Sequence, residues 1–183
     1  MIGFMNRRHV IYAGLLAAVA TAAGGYAVLG RKPEPSATAD LPVDDALARL
    51  RNAPLPYLDG SLHRLADWQG RPMVINFWAS WCGPCVKELP DLNHLQDKYP
   101  AVQFVGIGID TADNIRKFVE KTPISFPVLV QGADGIDVLR RLGNPAGVLP
   151  FTLVLDANGR ISRKIVGPVK VDDLSATISS LLG

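Results

Sequence analysis

Only two of the 183 residues are cysteine, Cys82 and Cys85, three apart. So few exclude a disulfide-dense scaffold and any structural zinc site built from cysteines alone. A Lys/Arg-rich run is also missing. Arg7, Arg8, Arg31 and Lys32 are all the basic residues before position 33, and no acid precedes Glu34. The rest of the chain therefore sets 15 basic side chains against 17 acids, so the formal charge of +2 conceals a body with a net charge of −2. Such a body lacks the electrostatic footprint of a nucleic-acid binder. With 48% hydrophobic and 20% charged residues, close to globular averages, the chain is neither wholly disordered, collagen-like nor a many-spanning transporter.

One long uncharged run does occur, at residues 10–29. As a helix it spans about 30 Å, roughly the hydrocarbon thickness of a bilayer. Seven alanines and three glycines (Gly14, Gly24, Gly25) make it only moderately apolar. Residues 1–30 are read as an N-terminal signal anchor. The competing reading is a signal peptide removed after Ala37-Thr38-Ala39. Arg7-Arg8 loosely resembles a twin-arginine signal. Both readings export the rest of the chain. Residues 31–54 form a linker with a short helix: Pro, Ala, Ser and Thr dominate up to residue 42, and then Val43, Leu47 and Leu50 recur at helical spacing. That helix either docks on the domain or remains a stalk. The folded domain is expected over residues 55–183.

Within it, residues 73–78 (MVINFW) form a nearly continuous apolar run, the mark of a central strand covered on both faces. Residues 102–109 and 127–130 read the same way. Helices are expected over 83–99, 114–121, 136–142 and 171–182. Strands at 151–155 and 161–166 are joined by Asp156-Ala157-Asn158-Gly159, good hairpin chemistry. The alternation predicts an α/β fold, a central mixed sheet flanked by helices.

The segment that bears chemistry is Trp81-Cys82-Gly83-Pro84-Cys85, directly after a core strand and opening a helix. A sulfur at the helix start faces unpaired backbone N–H groups and the positive end of the helix dipole, which favour thiolate. Cys85 lies one turn on, within disulfide reach. Pro84 suits a first turn, where a missing N–H costs nothing, and Gly83 suits one that needs backbone clearance. Competing readings are a static staple and a Cu(I) site made of the two thiolates. Neither His63, placed in a polar turn, nor His94, on the outer helix face, is expected to be a ligand.

The run from Val74 to Cys85 (VINFWASWCGPC) resembles the active-site strand and helix of the thioredoxin superfamily. It is closest to the TlpA/ResA branch of membrane-anchored thiol–disulfide oxidoreductases. Asn76 in place of a buried acid, Glu88 and Pro90 match that branch. So do Phe126-Pro127-Val128-Leu129 and Gly147-Val148-Leu149-Pro150 with the strand after them. The resemblance runs from about Leu55 to the C-terminus and implies a thioredoxin fold. It makes Pro150 the family's cis-proline, although an ordinary strand-edge proline is the alternative. It assigns attack to Cys82, resolution to Cys85, and positioning of the partner chain to Trp81, Pro84, Leu149 and Pro150. Trp81 is expected as a lid over the disulfide and Trp78 as core. Because Asn76 cannot ionise, Glu88 is the candidate proton handler. The alternative leaves Glu88 as a first-turn glutamate serving only the helix dipole. Pro90 removes a bond to the Val86 carbonyl and is expected to kink the helix. Residues 110–145 look like the branch's insertion, shaping partner choice or simply packing.

The activity so implied is that of a thiol–disulfide oxidoreductase needing no cofactor or metal. It is expected to face the periplasm from the cell inner membrane and to reduce disulfides in exported cysteine-containing proteins. Apocytochrome c and the copper site of cytochrome oxidase are the candidate substrates. A membrane electron donor of the DsbD/CcdA type is the expected source of electrons. A Cu(I)-handling protein and a disulfide-introducing oxidant are the alternatives. Potentials in the superfamily run from about −270 to −120 mV, and Gly83-Pro84 favours the reducing end.

Overall fold

The structure is a computed structural model and describes residues 42–183. The expected anchor at residues 1–30 and the linker up to residue 41 lie outside the described residues. Among those described, no helix is long and apolar enough to cross a membrane.

The apolar run becomes a strand fully buried along its length, Met73–Trp78. Two short strands precede it, Leu55–Pro56 (β1) and Leu62–His63 (β2), paired as an antiparallel ribbon, which makes the central strand β3. Parallel to β3 runs β4 (Gln103–Gly108), and beyond it β5 (Val128–Val130). On the other side lie β6 (Phe151–Leu155) and β7 (Ile161–Val166), both antiparallel to their inner neighbours. The order β5-β4-β3-β6-β7 is thus the expected mixed sheet.

Successive side chains of a strand face opposite sides, so β3 serves two cores. Ile75 and Phe77 join Val105, Ile107 and Leu153 on one side, where helix α1 (Val43–Asn52) adds Ala46, Leu47 and Leu50. The short helix therefore docks. Each such leucine contributes about 1.5–3 kcal/mol by leaving water. Leu139, from α4 (Gly135–Arg141), belongs to the same core. On the opposite side Val74 and Trp78 meet Cys85, Leu89 and Leu92 of α2 (Gly83–Lys98), Ile115 of α3 (Ala112–Val119), and Leu174 and Ile178 of α5 (Val171–Leu182).

Several expectations shift. The strand expected over residues 102–109 is shorter, with Val102 and Ile109 as its buried flanks, the Ile109 N–H still donating to the Trp78 carbonyl at 2.7 Å. α3 starts earlier than residue 114, since Thr111 caps it by accepting a hydrogen bond from the Asn114 N–H at 3.3 Å. His63 lies in β2 rather than in a turn, its ring stacked on Trp68 with centroids 6.0 Å apart.

Candidate active site

β3 ends at Trp78, and the chain turns through Ala79 to Cys82, whose N–H donates to the Ala79 carbonyl at 3.1 Å. Cys82 is the N-cap of α2, and its Sγ accepts a hydrogen bond from the Cys85 N–H at 3.3 Å. The first turn of the helix thus directs a backbone donor at this sulfur, an arrangement that stabilises negative charge there. Cys82 and Cys85 are joined in a disulfide with their Cα atoms 5.3 Å apart. Cys82 keeps 6% of its surface exposed and Cys85 none. The reaching sulfur is therefore less open than a helix-start site implies, because both cysteines belong to the apolar cluster under α2. A partner must approach through a small window at Cys82.

Trp81, one residue before Cys82, is 66% exposed, Pro84 is exposed, and Leu149 packs half-buried against the cluster that contains the cysteines. The Leu149–Pro150 peptide bond is cis, and the Pro150 carbonyl accepts from the Gly167 N–H at 2.8 Å. Trp78 is wholly buried. A Cβ added at Gly83 would meet nothing within 4 Å, so clearance within this chain does not require that glycine.

Glu88 is the sixth residue of α2, past a first turn that holds no acid, and it is buried. It therefore does not act as a first-turn partner of the helix dipole. Its Oε1 accepts from Asn76 Nδ2 at 2.8 Å and its Oε2 from the Val169 N–H at 2.8 Å. Burial raises the Glu88 carboxyl above its ordinary value, against the pull of those two donors. It also lines a groove of about 370 Å³ together with Pro84, Lys87, Asp91, Pro168 and Val169, which gives a buried acid a route to solvent. Asn76 Nδ2 also donates to Thr152 Oγ1 at 3.0 Å, while Asn76 Oδ1 has no partner.

Sequence reading passed over two buried polar groups beside the site. Ser80, two residues before Cys82, donates to Asp110 Oδ2. Asp110 Oδ1 accepts from the Thr111 N–H at 2.7 Å and from Asn114 Nδ2 at 2.8 Å. Burial alone would raise the Asp110 carboxyl, but the hydrogen bonds from Ser80, Asn114 and Thr111 outweigh it and hold it below its ordinary value. An acid placed between an apolar strand and a helix with Thr111 at its start was the available signal. The other is Asn144, in the loop before Pro150. A separate cavity of about 140 Å³, between α1 and α4, is lined by Arg49, Leu50, Val138 and Arg141 among others and holds no nucleophile.

A family model described as Redoxin matches residues 35–180. The chain belongs to the Redoxin family. Its relatives include "Thiol-disulfide oxidoreductase ResA" from Geobacillus thermodenitrificans, 34% identical over 130 residues, covering 68% of this chain and 71% of that one. The ResA of Geobacillus kaustophilus is 31% identical over 127 residues, with the same coverage. Among solved structures, a putative thiol:disulfide interchange protein DsbE from Chlorobium tepidum superposes with a TM-score of 0.64 at 30% identity, covering 72% of this chain and 93% of that one. A thioredoxin-related protein from Neisseria meningitidis serogroup B gives 0.59 at 35% identity, covering 68% and 94%. This Redoxin is therefore a thiol–disulfide oxidoreductase of the TlpA/ResA-like branch, with a thioredoxin fold and a Cys-Gly-Pro-Cys pair at the start of α2.

Proposed function

We propose that this oxidoreductase works outside the cytoplasm, held to the inner membrane by residues 1–30, and reduces disulfides in exported cysteine-containing proteins. The observation that carries the reading is the asymmetry of the pair. Cys82 alone keeps an exposed fraction and receives the Cys85 N–H, whereas Cys85 is sealed. In the reduced protein the Cys82 thiolate attacks one sulfur of a partner disulfide. An S–S bond forms between Cys82 and the partner, and the partner's other sulfur leaves as thiolate and takes up a proton. Cys85, its proton passed to the Glu88 carboxylate one helical turn away, then attacks Cys82 Sγ. The second partner sulfur is released with two electrons delivered in all, and the Cys82–Cys85 disulfide remains. In this reading Trp81, Pro84, Leu149 and Pro150 position the partner chain.

A donor of the DsbD/CcdA type would restore the dithiol, and apocytochrome c or the cysteines of the cytochrome oxidase copper site are the substrates this reading favours. Gly83-Pro84 supports the reducing direction. The test is a Cys85→Ser variant in cells, where resolution is blocked and partners accumulate as mixed disulfides through Cys82. Mass spectrometry should recover exported cysteine-containing proteins. No covalent partner at all would overturn the proposal, and a dithiol potential at the oxidising end of the superfamily range would reverse its direction.

A further inference from the structure

The loop that carries Pro150 and Leu149, which packs against the cluster containing the cysteines, is tied back by one side chain. Asn144 is buried to 1% exposure, a rare site for an amide unless every polar atom is paired. Here they are. Its Nδ2 donates to the Val148 carbonyl at 2.7 Å, and its Oδ1 accepts from the Val148 N–H at 3.2 Å. Its own N–H donates to the Leu139 carbonyl at 3.1 Å, and its carbonyl accepts from the Gly147 N–H at 2.9 Å. One asparagine thus joins the end of α4 to the residue two before Pro150.

The turn it closes is tight. Gly147 has φ +64°, and an added Cβ there would lie 2.7 Å from Ile136 Cγ2, so this loop admits no other residue at that point without strain. Both polar groups of the Val148 backbone are used by the Asn144 amide, much as a neighbouring strand would use them. The Pro150 carbonyl is used by Gly167. Between them, the Leu149 N–H and C=O have no protein partner among the described residues. A single residue with donor and acceptor both unpaired, packed against the cluster that contains Cys82, is the smallest unit of strand pairing.

We propose that Asn144 is a positioning residue for the partner chain. By occupying Val148 it restricts backbone pairing to Leu149 and fixes where along an extended segment the partner's disulfide meets Cys82. The matching substrate carries its cystine in an extended stretch with a free N–H and C=O opposite Leu149. Exposed Trp81 and Val148, 66% and 42% accessible, offer apolar footing for the flanking side chains. The inference rests on the oxidoreductase reading above.

The experiment compares two disulfides reacting with the reduced full-length protein, a disulfide-bonded extended peptide and bis(2-hydroxyethyl) disulfide, which has no peptide backbone. Asn144→Ala should raise the half-saturating peptide concentration about tenfold, the scale of one well-made hydrogen bond. The ratio of peptide to small-disulfide efficiency should fall by about the same factor. Asn144→Asp, nearly the same shape, keeps an acceptor for the Val148 N–H and loses the donor to its carbonyl. It should give an intermediate ratio and carries the test if the alanine variant does not fold. An efficiency ratio equal to wild type in both variants, or both substrates slowed by one factor, would overturn the proposal. A wild-type protein that reduces neither disulfide overturns the oxidoreductase reading itself, and this inference with it.

Discussion

Asn76 Nδ2 stands 2.8 Å from Glu88 Oε1 and 3.0 Å from Thr152 Oγ1, so one buried amide joins the second turn of α2 to two central strands. Its other end, Oδ1, is buried without a partner. That orphan has a physical reading. When Glu88 is protonated, turning the amide over lets the carboxylic O–H donate to Oδ1 while the Val169 N–H keeps its acceptor.

Glu88→Gln should therefore fold well, because a turned Asn76 accepts from the new amide. It should still lose the proton step. The pH–rate profile of exchange in the wild type should show an inflection at the raised carboxyl value that the glutamine variant lacks. Stability gives an independent check. Since burial raises this carboxyl in the fold, its contribution is complete in acid, below the unfolded value, and is lost as pH rises through the folded value. Denaturant unfolding should show the wild type losing ground to Glu88→Gln as pH climbs. A stability difference constant with pH would argue that Glu88 is not raised.

Asn76→Asp would put a second carboxyl within hydrogen-bond reach of Glu88. Two acids so close do not ionise together, so the pair should titrate in two widely separated steps. At neutral pH the variant should be less stable than the wild type, and the two should converge in acid. A variant as stable as the wild type at neutral pH would count against the buried contact.

Asp110→Ala removes the acceptor for three donors, from Ser80, Thr111 and Asn114. The expected loss is about 1–3 kcal/mol, measured by urea unfolding. The pH dependence runs opposite to that of Glu88. A carboxyl held low contributes stability above its unfolded value and loses it as pH falls through the folded one. The gap between wild type and variant should be widest at neutral pH and narrow in acid.

Leu50→Ala tests the docking of α1. Leu50 is 5% exposed within the core that includes Phe77 and Leu153, so truncation should cost about 2–5 kcal/mol. If α1 were a stalk, the unfolding midpoint would not move.

The sheet and the redox motif were readable because each depends on short-range pattern. The nearly continuous apolar MVINFW run, too short for a helix, marked a strand buried on both faces, and cysteines three apart after it needed no tertiary knowledge. The ends of elements were less readable, as at α3, where a capping threonine outside the apolar rhythm decides the start. Least readable were the polar contacts across the fold. Ser80 and Asp110 are 30 residues apart, and Glu88 and Val169 are 81 apart. Nothing local to Glu88 showed that it would be buried, nor to Asn144 that its amide would stand in for a strand. The limited exposure of Cys82 was missed for the same reason, since it depends on how α2 beds into the sheet.

α1 and α2 contribute to different cores, on the two sides of one sheet. A tug on the chain upstream of Val43 is thus taken up first by Leu47 and Leu50, against the back of the strands. The sulfurs belong to the core in front, on the other side of β3. Were residues 1–30 to hold the chain to a membrane as proposed, a pull at that end would load the core opposite the one that holds the sulfurs.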